Sequence, residues 1–200
     1  MESSVYERLG AFRQEADAQL NVRGVTITLR AGQTVLPRDF AILFILDKHL
    51  GTRPIAFGST TGQGEWLGLD RTVVQRGLAY EVIPRAEHVP GVIRGVQGGL
   101  VDTAVTRVLT EDVFRYTGLF EADTLVLEPA ARQVVSAMAR PWLELAQTGI
   151  LRRDQAATLA YLRRAAHLMP SRALHDVIKR IESEGLGALV GPAPEPPQRP

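Results

Sequence analysis

The chain has 200 residues, 45% of them hydrophobic, enough for one ordinary domain with a core, or for a domain with a small appendage. Twenty-three Lys and Arg against 22 Asp and Glu leave a formal charge of +1, so no overall field points to nucleic acid or to a membrane surface. The sequence has no cysteine, which excludes disulfides, thiolate chemistry and cysteine-ligated zinc and fits either a reducing or an oxidising compartment. The opening MESSVYERLGAF lacks the basic and apolar regions of a signal peptide, and the longest apolar run, Phe40–Leu46, is far short of the roughly 20 residues of a membrane helix. The polypeptide is therefore expected to be soluble, with no targeting signal and no direct membrane insertion of its own.

In chain order, Val5, Leu9, Phe12, Ala16 and Leu20 keep helical spacing and predict an amphipathic helix. Val25, Ile27 and Leu29 alternate with Thr26, Thr28 and Arg30, the period of a half-buried strand. Pro37 suits the first turn of a helix whose buried side is expected to be Phe40, Leu43, Phe44 and Leu46, ending at Leu50 with Gly51 as its cap. Next come an apolar strand at Ile55–Phe57, a glycine loop at Gly58–Gly64, a short helix stopped by Gly77, and a strand at Leu78–Ile83.

Read together, residues 24–84 predict a β-α-β-α-β unit with three parallel strands, and Trp66 is expected to cap its core. The fold class is α/β: a small parallel sheet followed by a C-terminal helical hairpin region of tetratricopeptide type. The glycines and Pro90 of residues 85–101 predict a long loop. Beyond it, Val105, Leu109, Val113 and Tyr116 predict a helix with a possible start at Thr110, and Leu125–Leu127 a short strand. Helices are expected at Ala130–Thr148, Arg153–Leu168 and Ser171–Glu184; Trp142, Leu145, Ala146, Leu162, Ala165 and Pro170 partly follow the tetratricopeptide pattern. The domains are thus an α/β domain over 1–101, a helical region over 102–184, and a disordered proline-rich tail over 185–200.

The glycine loop is the best candidate site, because backbone N–H groups between a strand and a helix can cradle a phosphate. Its ligand-binding candidates are Ser59, Thr60, Thr61, Gly62 and Gly64, with Arg53 ahead of the strand, although Arg53 also reads as a structural partner of Asp70. The loop lacks the Lys-Ser/Thr ending of a P-loop and the spacing of a dinucleotide fingerprint. His49, His88, His167 and His175 are scattered without metal-ligand spacing, and no serine sits in a Gly-x-Ser-x-Gly elbow. The residues therefore predict neither a catalytic set nor a metal, and no cofactor. The arginines of the helical region are interspersed with acids and read as a solvated face.

The stretch RPIAFGSTTGQGEWLGLDRTVVQRGLAYEVIP resembles the segment RPIYFA…LGLxxYLQxEGLAYRLVP of a bacterial family of multi-spanning membrane proteins related to the transmembrane protein O-mannosyltransferase, of the GT-C type. Leu36–Leu43 upstream, and Leu145, Ala146, Gly149, Ala157, Met169 and Pro170 downstream, extend the resemblance over roughly residues 25–175. This chain carries none of the family's membrane helices, and Ala56, Glu81 and Arg71-Thr72 depart from the motif. The resemblance implies a soluble accessory domain at the extracytoplasmic face of the bacterial inner membrane, inactive alone. Its partner would be the membrane-embedded glycosyltransferase portion or the acceptor protein, and it would serve acceptor binding or assembly. A second reading is a free-standing α/β module that binds a phosphorylated sugar or nucleotide-sugar at residues 58–64. A third is a helical scaffold acting through residues 130–184.

Overall fold

The structure is a computed structural model and describes residues 12–61, 67–69, 71–96, 98–121 and 125–189. The chain divides into two compact units, 1–105 and 106–200. The first is mixed α/β and the second is helical.

In the first unit, β1 (Phe12–Arg13) pairs antiparallel with β4 (Thr34–Val35), and β2 (Ala18–Val22) pairs antiparallel with β3 (Val25–Leu29). The predicted N-terminal helix is not present over residues 12–22; residues 5–11 lie outside the described residues. Arg23 and Gly24 both have positive φ, as a two-residue hairpin turn whose twist matches its strands demands, and Gly24 N–H donates to Asn21 Oδ1 at 3.1 Å. That turn converts an apparent helical period into strand pairing. In β3 the alternation holds as expected: Val25, Ile27 and Leu29 are buried while Thr26 and Thr28 face outward.

Helix α1 spans Pro37–His49. Asp39 accepts the Leu36 N–H at 2.8 Å, which satisfies one donor at the helix start, and Gly51 has φ +86° just past the end. Its buried stripe is not the expected one. Leu46 and Leu50 are buried with Ile42 and Leu43 packed beside them, whereas Phe40 and Phe44 are 42% and 63% exposed. The row that faces the core runs through 39, 42/43, 46 and 50, and Phe40 and Phe44 fall on its flank.

The main sheet has strand order β5-β7-β6-β9-β8, formed by β5 (Ala56–Gly58), β6 (Val73–Arg76), β7 (Ala79–Val82), β8 (Val92–Arg94) and β9 (Leu100–Asp102). It is mixed: β6 and β9 are parallel, and β5–β7, β6–β7 and β8–β9 are antiparallel. The expected parallel pairing of Ile55–Phe57 with Leu78–Ile83 is therefore wrong, and so is the helix expected before Gly77. The apolar residues Leu67, Leu69, Val73 and Val74 share no single helical face, since Leu67 and Val74 would fall opposite Leu69 and Val73. The β-branched pair Val73-Val74 instead starts a strand, and Gly77-Leu78 closes a two-residue hairpin with Arg76 opposite Ala79. Gly77 does have positive φ, +60°, but as the first turn residue of that hairpin. Residues 85–101, expected to be loop, hold β8, the start of β9 and a short 3-10 turn at Ala86–His88. Leu67 and Leu69 are buried in the same core as Val25, Ile27 and Leu46; Trp66, Gly62 and Gly64 lie outside the described residues.

At the end of β6 and β9, Arg76 bridges Glu81 at 2.6 Å and Asp102 at 3.2 Å. Asp102 also accepts the Val105 N–H at 3.1 Å and so starts helix α2 (Thr103–Val108), which widens into a π turn at Leu109–Val113. Thr110 is thus inside this element and not its start. Residues 125–128 form no strand.

The second unit is built from α3 (Pro129–Met138), α4 (Arg140–Leu151), α5 (Gln155–Leu168) and α6 (Arg172–Glu184). The expected single helix over Ala130–Thr148 breaks at Ala139, with Pro141 in the first turn of α4. Asp154 caps α5 by accepting the Ala157 N–H at 2.9 Å. Trp142 is buried among Tyr116, Phe120 and Tyr161, and the Arg164 guanidinium lies 4.6 Å above its ring. The tail expected from 185 begins later. Leu186–Ala188 form a 3-10 turn, and Leu186 and Leu189 pack on Ile178 and Ile181; residues 190–200 lie outside the described residues.

Burial pushes the Tyr116 hydroxyl above its ordinary 10.0, opposed by the Thr110 hydroxyl, the Trp142 indole and Arg164. The Tyr116 and Thr110 hydroxyls and the Trp142 indole nitrogen are buried without a hydrogen-bond partner of standard geometry among the described residues. Tyr161 is raised above 10.0 by burial and by Glu111, which accepts its O–H at 2.8 Å. A group whose folded pKa is raised leaves stability unchanged below its unfolded value and removes it as pH climbs through the folded one. Stability is therefore expected to fall above pH 10.0. The double variant Tyr116→Phe/Tyr161→Phe should flatten that alkaline limb in urea unfolding; an unaltered limb would contradict the assignment. For the β6–β7 hairpin, Gly77→Ala is expected to cost about 1 kcal/mol or more, read as a lower urea midpoint, because alanine is strained at φ +60°. An unchanged midpoint would refute the turn geometry.

Candidate functional site

The glycine loop does not have the setting that made it a candidate. Ser59 N–H donates to the Leu78 carbonyl at 3.0 Å and Thr61 N–H to the Gly58 carbonyl at 3.0 Å, so the loop begins as an extension of β5 pairing followed by a turn. No helix starts among the described residues between Thr61 and Val73, so the described part of the segment offers no helix N-terminus to a phosphate. Arg53 is exposed, its N–H donating to the His49 carbonyl at 3.0 Å; Asp70, its expected partner, lies outside the described residues.

A different part of the first unit forms a cleft of about 1050 Å³, and none of Arg53, Ser59, Thr60 and Thr61 lines it. One wall is the outward face of the β2–β3 hairpin. Strand alternation puts Thr26 and Thr28 on that face, Gln19 stands directly across from Thr28, and Arg30 and Gln33 follow at the strand end. The other wall is the end of the main sheet at which β6 begins and β7 ends. Ile83 N–H donates to the Thr72 carbonyl at 2.7 Å, so the chain just before β6 and just after β7 are tied together there. Because β9 is parallel to β6 and β8 antiparallel to β9, the start of β9 and the end of β8 come to this same end. The topology thereby gathers Arg71, Arg85 and Arg94 from three separate strand termini.

One close approach, at Gly68, holds the walls together. A Cβ on Gly68 would stand 2.9 Å from the Thr28 carbonyl oxygen, and Gly68 has φ +74°, so only glycine fits between its leucine neighbours and β3. At the hairpin tip, a Cβ on Gly24 would be 3.9 Å from Pro84, the residue before Arg85. Arg71 is held in a turn closed by the N–H and hydroxyl of Thr72, which both donate to the Leu69 carbonyl at 2.7 and 2.9 Å. Arg94 Nη1 donates to the Gly98 carbonyl at 3.0 Å.

Arg85 has φ +55°, a left-handed conformation that costs a non-glycine residue about 1–2 kcal/mol. Residues held this way cluster at ligand-binding sites.

The described lining carries four arginines against one carboxylate, Glu87. No ion pair joins the guanidinium of Arg30, Arg71 or Arg85 to another described residue. Arg76, by contrast, is paired with both Glu81 and Asp102. The described lining of this cleft is thus concave and predominantly positive, an electrostatic setting that favours anions.

Elsewhere the histidines act locally: His167 Nε2–H donates to the Leu119 carbonyl at 2.7 Å, His175 Nδ1–H to the Ser171 carbonyl at 2.8 Å, and His88 lies beside Glu87 at 3.4 Å. Among the described residues no cluster of His, Cys, Asp or Glu could hold a metal ion, and no helix is long and apolar enough to cross a membrane.

The chain matches no protein-family model, no curated protein and no solved structure. The polar half of β3 was visible in the sequence as Thr26, Thr28 and Arg30, but nothing local marks Arg71, Arg85 or Arg94 as neighbours. Gly68→Ala is expected to destabilise the fold by about 2 kcal/mol or more, through combined backbone strain and steric conflict with β3. A wild-type urea midpoint for that variant would disprove the close packing of the two walls.

Proposed function

We propose that this chain is a binding module without catalysis of its own, whose first unit holds an anionic ligand in the arginine cleft. The observation that carries the reading is the convergence of Arg30, Arg71, Arg85 and Arg94 around a concave surface with Glu87 as the one acidic residue in its described lining. Guanidinium groups bind phosphate through paired, directional hydrogen bonds, which makes phosphate the favoured anion. The phosphorylated-ligand chemistry first assigned to residues 58–64 is thereby transferred to the cleft.

The resemblance to the C-terminal portion of GT-C membrane glycosyltransferases supplies the setting. In that setting the module is an extracytoplasmic accessory domain for acceptor binding or assembly, working beside a membrane-embedded glycosyltransferase portion. The α4–α5 hairpin, with its closing Pro170, is the tetratricopeptide-like surface for a protein partner. A neighbouring gene or an in-frame extension encoding a polytopic membrane protein supports this setting; finding neither counts against it.

The cleft is tested by thermal unfolding at constant ionic strength with added pyrophosphate. A ligand at a hundred times its dissociation constant adds about 2.7 kcal/mol of stability. The wild type is expected to gain stability in this way and Arg71→Gln to lose the response. Arg85→Gly is expected to be no less stable than the wild type without ligand, since glycine accepts φ +55°, while its response to pyrophosphate disappears. Equal stabilisation of all three proteins would refute the site.

A further inference from the structure

The two walls of the cleft differ in chemistry. The sheet end presents guanidinium groups, from Arg71, Arg85 and Arg94, while the β2–β3 face between the hairpin tip and Arg30 presents Gln19, Thr26 and Thr28. A row of hydroxyl and amide groups offers both donors and acceptors at strand spacing, which suits a partner rich in hydroxyls and is wasted on a bare inorganic anion. From Thr26 to Arg30 this row extends along four residues of strand, about 13 Å, room for more than a phosphate group. The volume of about 1050 Å³ is likewise several times that of an inorganic anion.

The walls are also held in a fixed relation. Gly68 packs against the backbone of Thr28, which fixes the hydroxyl row relative to the segment carrying Arg71. Thr28 stands at the middle of the row, half-buried, across from Gln19. A ligand anchored by its phosphate at the sheet end would lay its remaining atoms across Thr28.

We propose that the cleft binds a phosphorylated polyhydroxy compound of the sugar-phosphate class, its phosphate on Arg71 and Arg85 and its hydroxyls on Gln19, Thr26 and Thr28. This rests on the anion-binding reading above and adds the chemical identity of the ligand and its direction in the cleft. Thr28 is the specificity-determining residue: it reads the hydroxyls and takes no part in holding the phosphate.

The test is isothermal titration of the full chain at fixed ionic strength with inorganic phosphate, free glucose, glucose 1-phosphate, mannose 1-phosphate and guanosine diphosphate. At least one hexose phosphate is expected to bind ten times more tightly than inorganic phosphate or more, with free glucose showing no heat. Thr28→Val should bring the hexose phosphate down to the affinity of inorganic phosphate and leave the latter unchanged. Arg85→Gln should weaken both at least tenfold. Circular dichroism confirms that each variant is folded, and Thr28→Ser, which retains a hydroxyl, should keep the preference. If inorganic phosphate and hexose phosphates bind equally, the sugar assignment is overturned while the anion site stands. Tighter binding of guanosine diphosphate overturns it in favour of a nucleotide. Absence of binding by every phosphate compound overturns the anion site as well.

Discussion

The first unit depends on the contact between Gly68 and the backbone of Thr28, where two polypeptide segments pass too closely for any side chain to intervene. Leu67 and Leu69 on either side of it are buried in the core that Val25, Ile27 and Leu29 of β3 also enter. Their burial is the gain, on the order of 2 kcal/mol for each leucine. It is obtained only because the residue between them has no Cβ and accepts a positive φ. The same contact leaves the opposite face of β3, with Thr26 and Thr28, open as one wall of the cleft. One strand therefore serves core and site with alternate residues, and the glycine joins that strand to the segment carrying Arg71.

The second unit solves a similar packing problem with helices. Gly149 on α4 meets Thr158 on α5 so closely that a methyl group there would collide with the Thr158 hydroxyl and backbone nitrogen. This small crossing point lets Trp142, Leu145, Leu162 and Ala165 close into buried clusters, while Arg164 covers the Trp142 ring from the solvent side. Its stability comes from this apolar and aromatic packing; the arginines of its surface, such as Arg163 with Glu182 at 2.7 Å, are exposed pairs of small energetic weight.

How far the sequence revealed this depended on whether a signal was local. The strand Val25–Leu29, the helix from Pro37 and the helices ending at Leu168 and Glu184 follow from periodicity, proline and caps, which neighbouring residues determine. The segment before Gly77 reads as a helix between a glycine loop and a glycine stop, yet its apolar residues Leu67, Leu69, Val73 and Val74 share no helical face. The decisive facts were non-local: Val73 pairs with Val82 across a two-residue turn, and Leu67 is buried through a left-handed backbone that no period encodes. The N-terminal segment failed for the same reason, since Ala18–Val22 is a strand only because β3 lies beside it. For the site, the threonines of β3 were legible as its polar half. Arg71, Arg85 and Arg94 were not, because they are neighbours only through the mixed order of the sheet.

The proposed function requires that Arg30, Arg71, Arg85 and Arg94 together hold a phosphate-bearing ligand in the cleft. Its most direct test is the mapping of backbone amide chemical shifts in the isotopically labelled chain as pyrophosphate is added. The account predicts that the perturbed amides are those of Arg71, Thr72, Arg85 and Gly98, saturating together as one site. Perturbations centred on Ser59–Thr61, or spread without saturation over the arginines of the helical unit, would contradict it.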